Sequence, residues 1–449
     1  MDKRLNQYRK ILKKDRMLFD ISEKLYTYGN EDTGPQTVTA IYVMAPIMLR
    51  FVLWVLQEAA LTGKKRLYFL ARDGYSMYRI AKVICERTGL PIECRYLYCS
   101  RYAWRNAEYA LLKEKSLFFI CLGGIDVTFE KVMCRAGLSV TEAQEIAGLL
   151  GFSEKYRERL SNGEVRSLIP VLGACKPFMD LLVSHAEEKY PLVCGYLEQE
   201  GLTEDIPYAV VDSGWMGSMQ KTLKHILTGM GFEGKVEGYY FGMYEYPAGT
   251  EHNDYHSWYF KPEEEIRRKV YFSNSLFECI FSSPEGMTLG YENRDERFYP
   301  VLEHRYSLNR EKVEKTTALL ERYARIFVLE FQDRIWDKTA DFQETAAKLL
   351  YYFMGRPTES EALEFGGYVF CDDVVGEERQ TVAAPLSYEE VRENHLVYKS
   401  VNMLLKKGKP IRESAWLEGS TVLLPHAGKS DLWQCALYKY LLYLRKLTK

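Results

Sequence analysis

The sequence predicts an α/β protein: a parallel sheet with helices on both faces, interrupted by a helical insertion and followed by a mainly helical C-terminal region. Two short apolar runs, residues 66–71 (RLYFLA) and 208–211 (YAVV), have strand length. Each ends in a polar, glycine-containing turn, Arg72-Asp73-Gly74 and Asp212-Ser213-Gly214, and each turn leads into apolar residues at helical spacing. A strand, a turn and a helix in repeated order build a parallel sheet.

Taken in order, residues 3–27 read as one basic amphipathic helix, with Leu5, Ile11, Leu12, Leu18 and Phe19 set among Lys3, Arg4, Arg9, Lys10 and Arg16. A Gly/Asn/Asp/Pro cluster at 29–35 breaks it. The next run, 38–56, is nearly long enough to cross a bilayer, but it contains Pro46 and Arg50. An arginine near the centre of a spanning helix costs about 2.5 to 3.5 kcal/mol. A buried core helix is the expectation, with a membrane segment as the alternative.

The strand at 66–71 precedes a helix marked by Met77, Ile80, Ala81, Val83 and Ile84, and a second strand at 95–99 (RYLYC) ends in Ser100-Arg101. Residues 106–203 carry mostly helical patterns and read as an insertion capping one edge of the sheet. After the strand at 208–211 and the loop 212–218 come a helix through Leu223, Ile226 and Leu227 and a strand at 236–242. Three regions result: N-terminal helices (1–62), an α/β core (63–300), and a mainly helical C-terminal region (301–449) with helix expected over 309–353.

The 449 residues carry 60 Lys+Arg against 62 Asp+Glu, so no global positive field exists to hold a nucleic acid. The ten cysteines show no C-x-x-C spacing and read as reduced thiols of a cytoplasmic protein. The first 14 residues are charged and lack the apolar core of a secretory signal.

In open α/β sheets, ligands bind beyond the carboxyl ends of the strands, where Arg72, Arg101 and Asp212 fall. In the loop 212–218, Gly214 and Gly217 allow successive N–H groups and the following helix start to cradle an anion. A plain turn with a helix cap fits the same spacing. Asp212 can accept hydrogen bonds from sugar hydroxyls or hold a hydrated Mg²⁺. Arg72 can clamp a phosphate or pair with Asp73, and Arg101 repeats the pattern one strand later. Together these residues suggest a polyphosphate joined to a polyol. Glu278, in an apolar run before a Ser/Pro/Gly turn, is a candidate base or a carboxylate paired with an arginine.

Other patterns read as empty. His252 and His256 lack the intervening glutamate of a metalloprotease helix and suggest a surface loop, and Asp372-Asp373 suggests a solvated turn. Neither a nucleotide P-loop nor a G-x-S-x-G elbow occurs.

The set LYFLARDG (67–74), YLYCSR (96–101), VVDSGWMGSMQ (210–220), LFECIFSSPEGMTLGY (276–291) and WLEGS (416–420) resembles a bacterial surface-polysaccharide biosynthesis family. Its members are often labelled predicted haloacid-dehalogenase-type hydrolases, after a phosphatase domain that frequently precedes the resembling part. The D-x-D motif of that domain is absent; the nearest sequence, Phe19-Asp20-Ile21-Ser22, lacks the second acid. The remaining part is similar to a divergent phosphoribosyltransferase of polysaccharide synthesis, with a Rossmann-like, phosphoribosyltransferase-like sheet. Asp212 matches the first acid of that fingerprint, Ser213 replaces the second, and Gly217-Ser218 replaces the Thr-Gly-x-Thr cradle.

The resemblance implies transfer of 5-phosphoribose from phosphoribosyl pyrophosphate to a glycan, with Mg²⁺ carried on the substrate. Asp212 would contact the ribose hydroxyls. Residues 214–220, including Gly214, Trp215, Gly217, Ser218 and Gln220 after Ser213, would cradle the 5-phosphate. Arg72 with Asp73 and Gly74 would bind pyrophosphate, Arg101 with Ser100 would form a second clamp, and Glu278 would act as base. The acceptor would be a lipid-linked glycan, and a separate phosphatase would remove the 5-phosphate. Residues 432–449, with Trp433, Leu437, Leu441 and Leu444 beside Lys439, Arg445, Lys446 and Lys449, suit peripheral contact at the inner face of the plasma membrane or a packed terminal helix. The competing readings are a haloacid-dehalogenase-type phosphohydrolase and a non-catalytic sugar-phosphate-binding scaffold.

Overall fold

The computed structural model describes all residues except 1, 29–32, 125–126, 304–306, 308, 338–341, 371–379, 406–410, 426–427 and 448–449. Asp372-Asp373 and Lys449 therefore lie outside the described residues. The centre is a five-stranded, all-parallel sheet in the order β2-β1-β3-β4-β5. Its strands are β1 (Arg66–Leu70), β2 (Glu93–Leu97), β3 (Tyr208–Trp215), β4 (Glu237–Met243) and β5 (Tyr255–Phe260). The α/β, Rossmann-like class expected from the sequence holds. The apolar runs of the sequence mark β1 to β4 but not β5, and His256 lies on that fifth strand instead of in the expected surface loop.

Alternate residues of β1 face opposite ways, as strand geometry requires. Leu67 and Phe69 join a core with Val211 and Phe241, while Tyr68 and Leu70 join a second core with Leu97 and Val210. Helix Gly74–Thr88 and both terminal regions cover the first face, and helices Arg101–Leu112, Lys176–Gln199 and Ser218–Gly229 cover the other. The insertion adds a core of its own around Phe129, Met133, Leu168 and Phe178.

Residues 3–27 form two helices, Asp2–Leu12 and Arg16–Tyr28, instead of the single helix expected. Asp15 explains the break: one carboxylate oxygen accepts from Leu18 N–H at 3.2 Å, and the other accepts from Arg50 at 2.7 Å. Asp15 and Arg50 are both buried, so the arginine that counted against a membrane span is neutralised inside the protein. The apolar helix Pro35–Leu61 is long and apolar enough to cross a membrane, yet 94% of its most apolar window is buried within the fold. Its π-helical turn Ala40–Met44 comes just before Pro46, whose missing N–H interrupts the regular ladder.

The two ends of the chain share one core. Tyr323, on helix Arg310–Phe331, donates to Leu18 O at 2.6 Å, and Trp416 is fully buried with its indole on Met354 O at 2.7 Å. An antiparallel hairpin, β6 (Thr288–Arg294) and β7 (Arg297–Leu302), is tied to the end of β2 by Tyr291, which donates to Tyr98 O at 2.7 Å.

Candidate active site

The order 2-1-3-4-5 has its topological switch point between β1 and β3, where the connections leave for opposite faces. Arg72 and Asp73 follow β1 there, and Asp212 and Ser213 lie in the second half of β3. The Ser213 hydroxyl donates to the Asp73 carboxylate, joining the two strand ends. Glu278, on the short helix Asn274–Ile280, accepts the Trp215 indole N–H at 2.6 Å.

The backbone at this junction is held in uncommon conformations. Arg72 (φ +70°) and Trp215 (φ +68°) both occupy the left-handed region, where a bulky residue costs on the order of 1 to 3 kcal/mol. Gly214 has φ +106°, and a Cβ there would come within 2.5 Å of Gly242 O. Tyr96 fixes Arg72 by accepting its backbone N–H at 3.0 Å. Tyr96 was not anticipated as a supporting residue, because its only sequence signal is membership of a buried strand.

Three junctions run from a strand into a helix at this edge, and they differ. Ser100 caps its helix by accepting from Ala103 N–H at 3.0 Å, and its hydroxyl also donates to Thr288 O at 2.6 Å. The helices after Asp73 and Gly217 have no side-chain cap. Their leading N–H groups present two positive helix ends to the switch point.

Electrostatics set the character of the site. Burial raises the Asp212 carboxyl well above the ordinary carboxylate range, and the neighbouring charges of Asp73 and Glu278 add to that. Burial also raises Asp73, against the pull of Arg72, the Ser213 hydroxyl and Arg101. Glu278 is pushed up to about 7 by burial and then by Asp73, with Arg101, Arg72 and the Trp215 indole opposing. As whole residues, Asp73, Asp212 and Glu278 are each partly exposed. Arg72 and Arg101 are exposed, and among the described residues neither side chain makes a hydrogen bond or ion pair. The alternative of an Arg72–Asp73 ion pair is therefore not what the structure adopts.

The expected members divide clearly. Arg72, Asp73, Asp212, Ser213 and Glu278 come together, and Arg101 acts electrostatically on all three carboxylates. Gly74 starts its helix where a Cβ would meet Phe69 C at 3.0 Å, so close helix-to-strand packing requires the glycine.

Four residues expected at the substrate make structural contacts in this fold. Trp215 belongs to β3, is buried, and reaches Glu278. Gln220 is buried, and its amide donates to Val236 O at 2.9 Å and Asp254 O at 3.1 Å while accepting from Tyr240, so it braces β4. Ser100 is a helix cap. Gly217 packs against Tyr255, where a Cβ would come within 2.6 Å of the ring. The cradle is correspondingly shorter than 214–220: only Met216 and Gly217 separate β3 from the helix that Ser218 begins.

No protein-family model and no curated protein matches this chain. Among the described residues no three His, Cys, Asp or Glu side chains form a dedicated metal centre. The donors at the switch point do fit Mg²⁺, which takes one or two carboxylates and completes its shell with water and substrate phosphates. The Asp73 charge raises the affinity of Asp212 for protons, and a divalent cation between them would relieve the same repulsion.

Proposed function

We propose that the protein transfers 5-phosphoribose from phosphoribosyl pyrophosphate to a hydroxyl of a glycan acceptor, releasing pyrophosphate. The supporting observation is the meeting of two uncapped helix N-termini and two unengaged arginines with Asp73 and Asp212 at the β1/β3 switch point. Anionic groups at both ends of the donor suit the helix ends and guanidinium groups, and the ribose diol between them suits carboxylates. Three carboxylates shifted together at one strand-end junction favour a reactive site over a plain scaffold.

The residues divide the work by chemistry. The N–H groups opening helix Ser218–Gly229 bind the 5-phosphate, and Asp212 accepts from the ribose hydroxyls. Asp73 supplies, from β1, the second acid that Ser213 replaces in the fingerprint of the resembling family; Ser213 serves as its hydrogen-bonded bridge. Arg72 and Arg101 hold pyrophosphate and stabilise the charge that grows on it as its bond to C1 breaks. Asp212 and Asp73 would hold magnesium together with the diphosphate, and the bound ion would supply further positive charge to that leaving group. Glu278, with a pKa of about 7, takes the proton of the acceptor hydroxyl as that oxygen bonds to C1.

The acceptor we infer is a lipid-linked glycan, reached from the cytoplasmic side of a membrane. The C-terminal helix Lys429–Leu447 supports this reading. Its Tyr443 stacks on Tyr244 at 5.8 Å and Trp433, Tyr440, Leu441 and Leu444 stay exposed, whereas Lys446 pairs with Glu245 and Lys439 with Glu418, so the apolar side chains carry the membrane contact. The product keeps its 5-phosphate, which a separate phosphatase removes.

Calorimetric titration with phosphoribosyl pyrophosphate and Mg²⁺ tests the proposal. Tight, magnesium-dependent binding that is lost in Asp212→Ala and Arg72→Ala is expected; absence of binding to the folded protein rejects it.

A further inference from the structure

Helix Arg101–Leu112 carries a second arginine one turn beyond the first. Arg101 and Arg105 are spaced i, i+4 on the same helix face, a pairing of like charges that weakens a helix. Arg105 is half-buried, with its guanidinium 5.1 Å from the Phe119 ring centroid. Among the described residues it makes no hydrogen bond and no ion pair. The nearby acid Glu108 is engaged elsewhere, accepting from Thr222 and His225 at 2.9 Å each. Burial and the charges of Arg101 and Arg135 hold the Arg105 pKa below its usual value. A guanidinium has five donors, and none of those on Arg105 is taken by a described residue or sealed from solvent, so they are available to an incoming acceptor.

We propose that Arg105, one turn beyond the pyrophosphate clamp Arg101, centres an anion subsite on the insertion side of the active site that takes a phosphoryl group of the acceptor. The occupant's role as acceptor rests on the transferase reading; the anion site does not. Arg101 acts electrostatically both on the three carboxylates and on Arg105, which couples the subsite to Glu278, so an acceptor phosphate on Arg105 would bring its sugar toward Glu278 while Arg72 and Arg101 hold the departing pyrophosphate.

Inorganic pyrophosphate is the probe, titrated calorimetrically into the wild-type chain and into Arg72→Ala and Arg105→Gln, with circular dichroism checking the fold. Two equivalents are expected for wild type and one for each variant. One equivalent that is lost in Arg72→Ala and unchanged in Arg105→Gln overturns the subsite and leaves the donor site standing. One equivalent lost only in Arg105→Gln supports the subsite and rejects the donor reading. No binding overturns both. If Arg105→Gln fails to fold, Arg105→Lys serves: it keeps the charge but loses the bidentate fork, and about a tenfold weaker second site is expected. An unweakened second site in that variant overturns the assignment. Geranyl phosphate and glucose 1-phosphate, compared at the same site, distinguish a lipid carrier from a soluble sugar phosphate.

Discussion

The Trp215 indole N–H meets the Glu278 carboxylate at 2.6 Å, from a residue whose backbone sits at φ +68°. The strained end of β3 thereby orients a carboxyl group on a different segment. A hydrogen bond to the charged form favours that form, so the indole offsets part of the burial that raises Glu278. In Trp215→Phe, which keeps the ring and loses the donor, the Glu278 pKa should rise by about one unit. The acidic limb of the transferase pH profile should move upward with it. An unmoved limb at retained activity would show that Glu278 is not the titrating base.

Ser213→Asp tests whether Asp73 serves as the second acid. A simple restoration of the family fingerprint predicts tighter donor binding. Here the new carboxylate would face Asp73, so we expect lower thermal stability and binding at least about tenfold weaker. Ser213→Ala should be milder, at about 1 kcal/mol, the worth of one hydrogen bond. Thermal melts and calorimetry on the two variants check the order.

Asp73, Asp212 and Glu278 all have folded-state pKa values raised above those of the unfolded chain. The folded protein therefore holds protons that the unfolded chain releases. The stabilising contribution is complete below about pH 4, near the unfolded carboxylate values, and declines as pH rises through about 7. Melting temperature should fall across that window, with a flatter profile in Asp212→Asn. A wild-type melting temperature that rises across the window in parallel with the variant would contradict the raised values.

Magnesium competes with the same protons. Its affinity, read by the melting-temperature gain at fixed concentration, should increase from about pH 6 to pH 8 and be largely lost in Asp212→Asn. At pH 8 without magnesium, Asp212→Asn should melt roughly 1 to 3 °C above wild type while losing turnover, because it removes a repelling charge that catalysis needs.

At the other end of the molecule, Trp433→Ser with Leu441→Ser should reduce pelleting with anionic liposomes and leave the melting temperature within about 2 °C, since both side chains point outward. Unchanged pelleting rejects the membrane contact.

The strands that position the site were legible because each is a short, nearly continuous apolar run closed by a polar turn. β5 escaped because Tyr255, His256 and Ser257 interrupt that pattern, although pairing with β4 buries most of the strand. Arg72, Asp73 and Asp212 could be placed at strand ends by chain order. What chain order could not supply was direction. Trp215 and Gln220 stand in the same run as Asp212, yet one turns to Glu278 and the other braces β4, because β3 continues paired with β4 as far as Met243. The break at Asp15 was likewise invisible, since it depends on Arg50 from another helix.

The shared core of the two chain ends has a consequence for synthesis. Ser22 bonds Ile41 O and Tyr323, so the first helices emerge with an apolar face whose cover is still hundreds of residues from being translated. The sheet's second face, closed by helices encoded nearer to it, can form earlier. A nascent chain halted before residue 310 should thus hold its strand ends in place yet bind a holdase along one side, and supplying residues 310–449 as a separate polypeptide should release it.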